Sequence, residues 1–294
     1  MAATQFTSNN RRIALIDTTE KAREAIKRLL IARNVALDCE GNNLSRNGAL
    51  TLLQICSLDE TDSTIYLFDV LTLEQQENGF LRSGMRAILE NTRILKIVYD
   101  FRSDYEALYW QHNIDTKTIL DLQVHKFLQK TPHLRDMESD QMRTWFIECV
   151  NGGKRTCGPL FLASLNPNRR HDDNPDKTWT IRPLDKVNIL YAAGDIEDIA
   201  ELYNQYRSAD SKYDRALLQY SGKYARMFKS LERRSNSQWE CNNIFPLHVL
   251  MNQSTTSREC RMCHLQVPVA AFMPTKKRCL RCWFKHRLSS LRTH

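Results

Sequence analysis

The stretch Val35-Ala36-Leu37-Asp38-Cys39-Glu40-Gly41 ends an apolar run with two carboxylates two positions apart. The run reads as a β-strand, and side chains at i and i+2 of a strand leave the same face. Asp38 and Glu40 therefore point together into whatever covers the sheet, with Leu37 and Cys39 behind them. Two anions held side by side repel unless a cation sits between them. Hard divalent cations such as Mg²⁺ take oxygen ligands of this kind. A solvated strand end is the plain alternative, so the reading depends on further carboxylates in matching positions.

Two more stand out. Asp100 follows the apolar strand Ile94-Leu95-Lys96-Ile97-Val98-Tyr99, where a parallel strand gives way to a helix. That end of a strand faces the ligand crevice in open α/β sheets. Capping the helix is the alternative for Asp100, and Asp104, four residues on, caps or lines the same helix end. Asp195 lies within Leu190-Tyr191-Ala192-Ala193-Gly194-Asp195-Ile196. Ile196, Ile199, Ala200 and Tyr203 form an apolar helical stripe beside it, and Tyr191 shares its face one turn earlier. A carboxylate next to such a stripe is costly without a partner. The partner is either Tyr191 itself or a cation whose bound water Tyr191 reaches.

A second set of ligands has different chemistry. Cys260-x2-Cys263 and Cys279-x2-Cys282 are separated by fifteen residues, which is the spacing of a tetrahedral four-cysteine zinc site. Soft thiolates favour Zn²⁺ over Mg²⁺. His264 and His286 are the alternative ligands. A module this small cannot bury a core of its own, so the metal supplies much of its folding energy. Lys276, Lys277, Arg278, Arg281, Lys285 and Arg287 surround these cysteines, interleaved with Phe272, Trp283 and Phe284. Bases with aromatics suit single-stranded nucleic acid, through phosphate attraction and stacking. The aromatics are equally suited to a small core, and the module to docking a protein.

The chain must supply elements to position these groups. Its 294 residues are enough for one large domain and an appendage, at ordinary globular usage of 42% hydrophobic and 26% charged residues. The net charge of +8 is localised. From Arg258 onward there are nine Lys/Arg and one Glu, so the preceding 257 residues balance at 33 basic and 33 acidic. The basic excess marks the C-terminal module as the polyanion-binding candidate. No apolar run is long enough to span a membrane. Met1 to Arg12 lacks the apolar core of a secretory signal but holds two arginines and no acid, which leaves an organellar presequence open. Nine cysteines, five of them scattered (Cys39, Cys56, Cys149, Cys157 and Cys241), fit a reducing compartment and small apolar packing.

Periodicity predicts a strand over Arg12–Ile16, then a helix over 20–32 opened by a capping box in Asp17-Thr18-Thr19-Glu20. The Asp38/Glu40 strand, Leu50–Ser57 and Thr64–Val70 follow as an antiparallel meander. Leu81, Met85, Ile88 and Leu89 mark a helix. Strand 94–99, a helix from Phe101, strand 118–120 and a helix over 121–129 then alternate as parallel crossover units. A helix over 138–150, a polar loop over 166–177 and a helical run from Leu184 to about Arg234 complete the pattern. Ser235–Glu259 reads as a linker.

These motifs resemble the tyrosine-containing branch of the DEDD 3′→5′ exonucleases, near RNase D. The resemblance runs over roughly residues 12–207 and rests on "LDCEG" with "LTLLQICS", on "KIVYDFRSD", and on "WTIRPLDKVNILYAAGDIEDIAELY". It implies a ribonuclease H-like α/β mixed sheet flanked by helices, followed by a helical extension and linker over 208–259 and the zinc-binding module over 260–287. It also implies two Mg²⁺ or Mn²⁺ ions. Asp38 would bridge them, Glu40 and Asp195 would hold the ion that binds the attacking water, and Asp100 would support the other. Tyr191 would orient the water. The substrate would be a single-stranded RNA or DNA 3′ end, and the product a nucleoside 5′-monophosphate. Tyr99 and Gly194 depart from the usual pattern without removing a ligand. The alternative is a catalytically weak or inactive adaptor that grips nucleic acid or protein with the same fold. The expected setting is the nucleus or cytoplasm.

Overall fold

The computed structural model describes residues 6–8, 11–59, 64–76, 79–130, 179–209, 215–230, 256–269, 272, 277–279 and 282–283. The expected helix over 138–150, the loop over 166–177, and Cys149, Cys157 and Cys241 lie outside the described residues. The chain divides into two compact units, residues 1–122 with 154–229 and residues 123–153 with 230–294.

The first unit is built on a mixed sheet of seven strands among the described residues. They are β1 (Phe6–Ser8), β2 (Arg11–Ile16), β3 (Asn34–Asn42), β4 (Ala49–Ser57), β5 (Ile65–Asp69), β6 (Leu95–Val98) and β7 (Ile119–Asp121), in the order β1-β2-β5-β4-β3-β6-β7. The meander β3-β4-β5 is antiparallel, and β6 and β7 add to β3 in parallel. Edge strand β1 was not legible in the sequence, because three residues show no period.

Among the described residues the α-helices are α1 (Thr19–Leu29), α2 (Val70–Glu74), α3 (Arg86–Leu89), α4 (Arg102–His112), α5 (Leu122–Lys130), α6 (Lys186–Ala209), α7 (Arg215–Ala225) and α8 (Met227–Ser230). Alternation in β3 and β4 decides which side each covers. Leu37, Cys39, Leu53 and Ile55 share a buried cluster with Ala22, Ile26 and Leu29 of α1, Ile88 of α3 and Tyr105 of α4. The other face, carrying Asp38 and Gln54, is covered by α6, which packs on β3, β4 and β5.

Two local expectations shift. The cap of α1 is Thr18, whose side chain accepts from the Lys21 amide, while Asp17 pairs with Lys21 at 2.6 Å. The helix expected around Leu81–Leu89 is a π-helical turn over Leu81–Met85 followed by α3, because Gly84 takes φ 90° inside it. Among the described residues no helix is long and apolar enough to cross a membrane.

The turn from α3 into β6 is closed by a fully buried lysine. Lys96 Nζ donates to the carbonyls of Asn91 at 2.6 Å and Ile94 at 2.7 Å, and burial pushes its ammonium down to about 7. Lys96→Met strands those carbonyls and lowers stability by about 1–3 kcal/mol in urea unfolding. Between about pH 7 and about pH 10 the unfolded chain binds a proton that the native lysine has released, so stability climbs with pH in that window. The climb flattens in Lys96→Met.

Candidate metal centres

Strand β3 brings Asp38 and Glu40 to one face, and α6 lowers Asp195 onto them. Each offers a carboxylate oxygen, and these atoms all lie within 4.8 Å of one another. Asp195 is 2% exposed and Asp38 8%. Helix α6 can come this close because Ala192 and Ala193, fully buried, face the sheet. Beyond Glu40 the β3–β4 register shifts, and Gly41 passes so near Ala49 that a Cβ there would sit 2.0 Å from its carbonyl oxygen. Three carboxylates in so little water are mutually repulsive, and their hard oxygens fit a divalent cation. At Gly194, beside Asp195, an added Cβ would meet nothing within 4 Å.

Tyr191 sits one turn before Asp195 and packs on Trp179 with ring centroids 5.9 Å apart. Arg182 fixes the loop that carries Trp179. It donates to Asp69 at 2.7 Å, to the carbonyls of Trp179 and Ile181 at 2.9 Å, and to that of Thr51 at 3.0 Å. The sequence motif contained Arg182, but nothing in it showed that one guanidinium would tie the loop to β4 and β5.

Neither Asp100 nor Asp104 is among the three carboxylates whose oxygens lie within 4.8 Å of one another, and Asp100 has partners of its own. It adopts φ 49°, and its carboxylate takes a bidentate pair from Arg102 at 2.6 and 2.8 Å. Tyr224 of α7 also hydrogen-bonds it. Arg102 is 4% exposed and lies 4.6 Å from the ring centre of Tyr224 and 5.8 Å from that of Phe228. Burial disfavours its charge, but Asp100 and its neighbours outweigh this and hold it firmly protonated. Asp121 accepts from the amides of Asp100 and Phe101, and so caps the start of α4.

Asp104, one turn further on, is 6% exposed. Its carboxylate hydrogen-bonds the thiol of Cys39, the residue between Asp38 and Glu40. Burial, then Asp104, Asp38 and Glu40, push that thiol well above its usual range. The same three carboxylates therefore act on one atom of β3.

In the second unit, β8 (Ser257–Glu259) pairs antiparallel with β9 (Gln266–Pro268). The expected linker thus ends earlier, since 257–259 is ribbon. Cys260, Cys263, Cys279 and Cys282 lie with all four sulfurs within 4.8 Å, and Cys263 and Cys279 are 4.0 Å apart. Tetrahedral ligands at Zn–S distance are separated by roughly 3.8 Å, so the cluster fits zinc. Burial would raise the Cys260 thiol, but the amides of Cys279, Cys263 and Met262 bring it down to about 6. Burial and the neighbouring sulfurs push Cys282 up to about 12. His264 is exposed and bonded to Glu259 at 2.9 Å, while His286 lies outside the described residues. Phe272 is buried beneath Arg258, 3.8 Å from its ring centre, so it serves as core. Lys277 is exposed and Arg278 half-buried; Lys276, Arg281, Lys285 and Arg287 lie outside the described residues.

Comparison with known proteins bears on both units. A family model described as 3′-5′ exonuclease matches residues 13–139. The crystal structure of Trypanosoma brucei RNase D superposes with a TM-score of 0.59 at 25% identity, covering 90% of this chain and 89% of that one. The same enzyme in complex with RNA U12 gives 0.57 at 24% identity, covering 86% and 83%. The piRNA biogenesis protein EXD1 of Mus musculus is 28% identical over 150 residues, which is 51% of this chain and 25% of that protein. The match thus spans about a quarter of that relative's length.

Arg102→Met leaves Asp100 beside Tyr224 without its cation. The expected loss is about 1.5–3 kcal/mol in urea unfolding, toward the lower end because the Asp100 side chain is 31% exposed.

Proposed function

We propose that this chain, which a 3′-5′ exonuclease family model matches over residues 13–139 and which superposes on T. brucei RNase D, is a metal-dependent 3′→5′ exonuclease releasing nucleoside 5′-monophosphates from single-stranded 3′ ends. The observation that carries this reading is the convergence of Asp38, Glu40 and Asp195 at one point. An adaptor has no use for three carboxylates forced together at a cost in repulsion.

In this reading the exonuclease domain takes residues 12–207, with an extension over 208–259 and the zinc module over 260–287. Asp38 would serve both of two Mg²⁺ or Mn²⁺ ions, and Glu40 and Asp195 would hold one of them. The fourth carboxylate is Asp104 in place of the expected Asp100. Asp104 is buried at the start of α4 and near enough to β3 to act on Cys39, whereas Asp100 is already ion-paired with Arg102 and hydrogen-bonded by Tyr224. Two such cations supply a water of lowered pKa and neutralise charge on the leaving oxygen. Tyr191, packed on Trp179, would orient that water and help remove its proton. The cysteines hold one structural Zn²⁺, and Lys276, Lys277, Arg278, Arg281, Lys285 and Arg287 retain the substrate backbone. RNA is the favoured substrate, since the T. brucei relative is known in complex with it. The free cysteines suit a reducing setting, the nucleus or cytoplasm.

The test uses 5′-labelled single-stranded RNA and DNA, with Mn²⁺ present or chelated. A ladder shortening from the 3′ end, dependent on metal and reduced roughly 10³-fold or more by Asp38→Asn, is the expected result. Binding without shortening would move the adaptor reading ahead. Asp104→Asn should abolish activity and one Mn²⁺ site, while Asp100→Asn keeps both ions and loses stability; the reverse pattern returns the fourth position to Asp100. Charge reversal at Lys277 and Arg278 should weaken binding evenly across sequences and flatten the salt slope by about 1 per residue. An unchanged slope would assign the zinc module to protein docking.

A further inference from the structure

Gln54 has no part in the chemistry described so far, yet its setting is unusual. It lies directly opposite Asp38 in the β3–β4 register, so the two side chains leave the same face as neighbours. The residue is fully buried, and neither its amide nitrogen nor its amide oxygen has a hydrogen-bond partner among the described residues. An amide in that state is destabilising, and a leucine of similar volume would not be. Its neighbours on the same face of β4 are Leu52 and Cys56, both fully buried. Glu40, the other ligand on β3, faces apolar Leu52 across the strands. The one amide on this face thus stands opposite the one carboxylate that the reading above assigns to both cations.

We propose that Gln54 is a positioning residue for Asp38. When a cation draws one Asp38 oxygen toward it, the amide N–H₂ of Gln54 donates to the oxygen turned away. That hydrogen bond fixes the carboxylate's rotamer and raises its affinity as a ligand, as outer-shell partners of metal ligands do. The cost of the unpaired amide is then carried by the metal-free protein and recovered when the cation binds. The inference rests on the proposed metal-dependent reading of the Asp38–Glu40–Asp195 site.

The idea predicts opposite signs for two readouts of one substitution. In the full-length chain, Gln54→Leu should raise the Tm of the metal-free protein by about 2–4 °C. It should weaken Mn²⁺ binding, read by calorimetry, by roughly tenfold or more. Oligonucleotide KM should hold while kcat falls. Gln54→Met, unbranched and of equal length, should behave alike. Glu40→Gln is the control: if it leaves Mn²⁺ uptake intact, the metal reading itself has failed. If Glu40→Gln loses Mn²⁺ while both Gln54 variants bind it normally, the positioning role is overturned. A lower metal-free Tm, or failure of both Gln54 variants to fold, would make the amide a structural group and overturn it equally.

Discussion

Everything in the first unit answers to one repulsion. Asp38, Glu40 and Asp195 hold carboxylate oxygens within 4.8 Å of one another in a place where two of the three residues are buried. No hydrophobic term favours that arrangement, so the surrounding packing has to impose it. The pleat of β3 sets two of the carboxylates side by side, and α6 delivers the third by pressing its alanines onto the sheet. The cluster is therefore as rigid as the sheet that bears it, which is what a site for a hard cation needs.

The same demand explains the density of polar contacts at the start of α4. The left-handed Asp100 would be an expensive turn by itself. Asp121 ties down its amide, Arg102 and Tyr224 grip its carboxylate, and Phe228 backs the guanidinium. Tyr224 and Phe228 come from α7 and α8, more than a hundred residues further along. Arg226, at the junction of these helices, and Lys229 of α8 add bonds to Thr116 and Asp115. Helices α7 and α8 are thus packed against the start of α4 within the first unit.

Much of this was legible because it is periodic. Alternation in 35–41 and 50–57 gave the strands and their faces, and the i, i+4 step from Tyr191 to Asp195 put both on one side of a helix. The cysteine spacing gave the ribbon, since four soft ligands have few other ways to converge. What escaped was decided by tertiary contact. Asp100 and Asp104 both follow a buried strand, and the sequence did not show that a left-handed turn and Arg102, two residues on, would engage the first of them. Gln54 reads in the sequence as one polar residue in an apolar strand. Its significance comes from the register that sets it against Asp38 and from α6 closing over it.

The two candidate metal sites differ in donor type. The carboxylate cluster offers only hard oxygens, and the ribbon offers only thiols, one of them drawn toward the thiolate by three backbone amides. Affinity order alone would let zinc outcompete magnesium or manganese at either place. Geometry and softness would make the separation instead: a four-sulfur set satisfies a tetrahedral ion outright, while two carboxylates from the sheet and one from α6 suit a harder ion that keeps bound water. The charge distribution follows the same division. The residues before Arg258 balance their charges, and the basic excess falls in the segment from Arg258 onward.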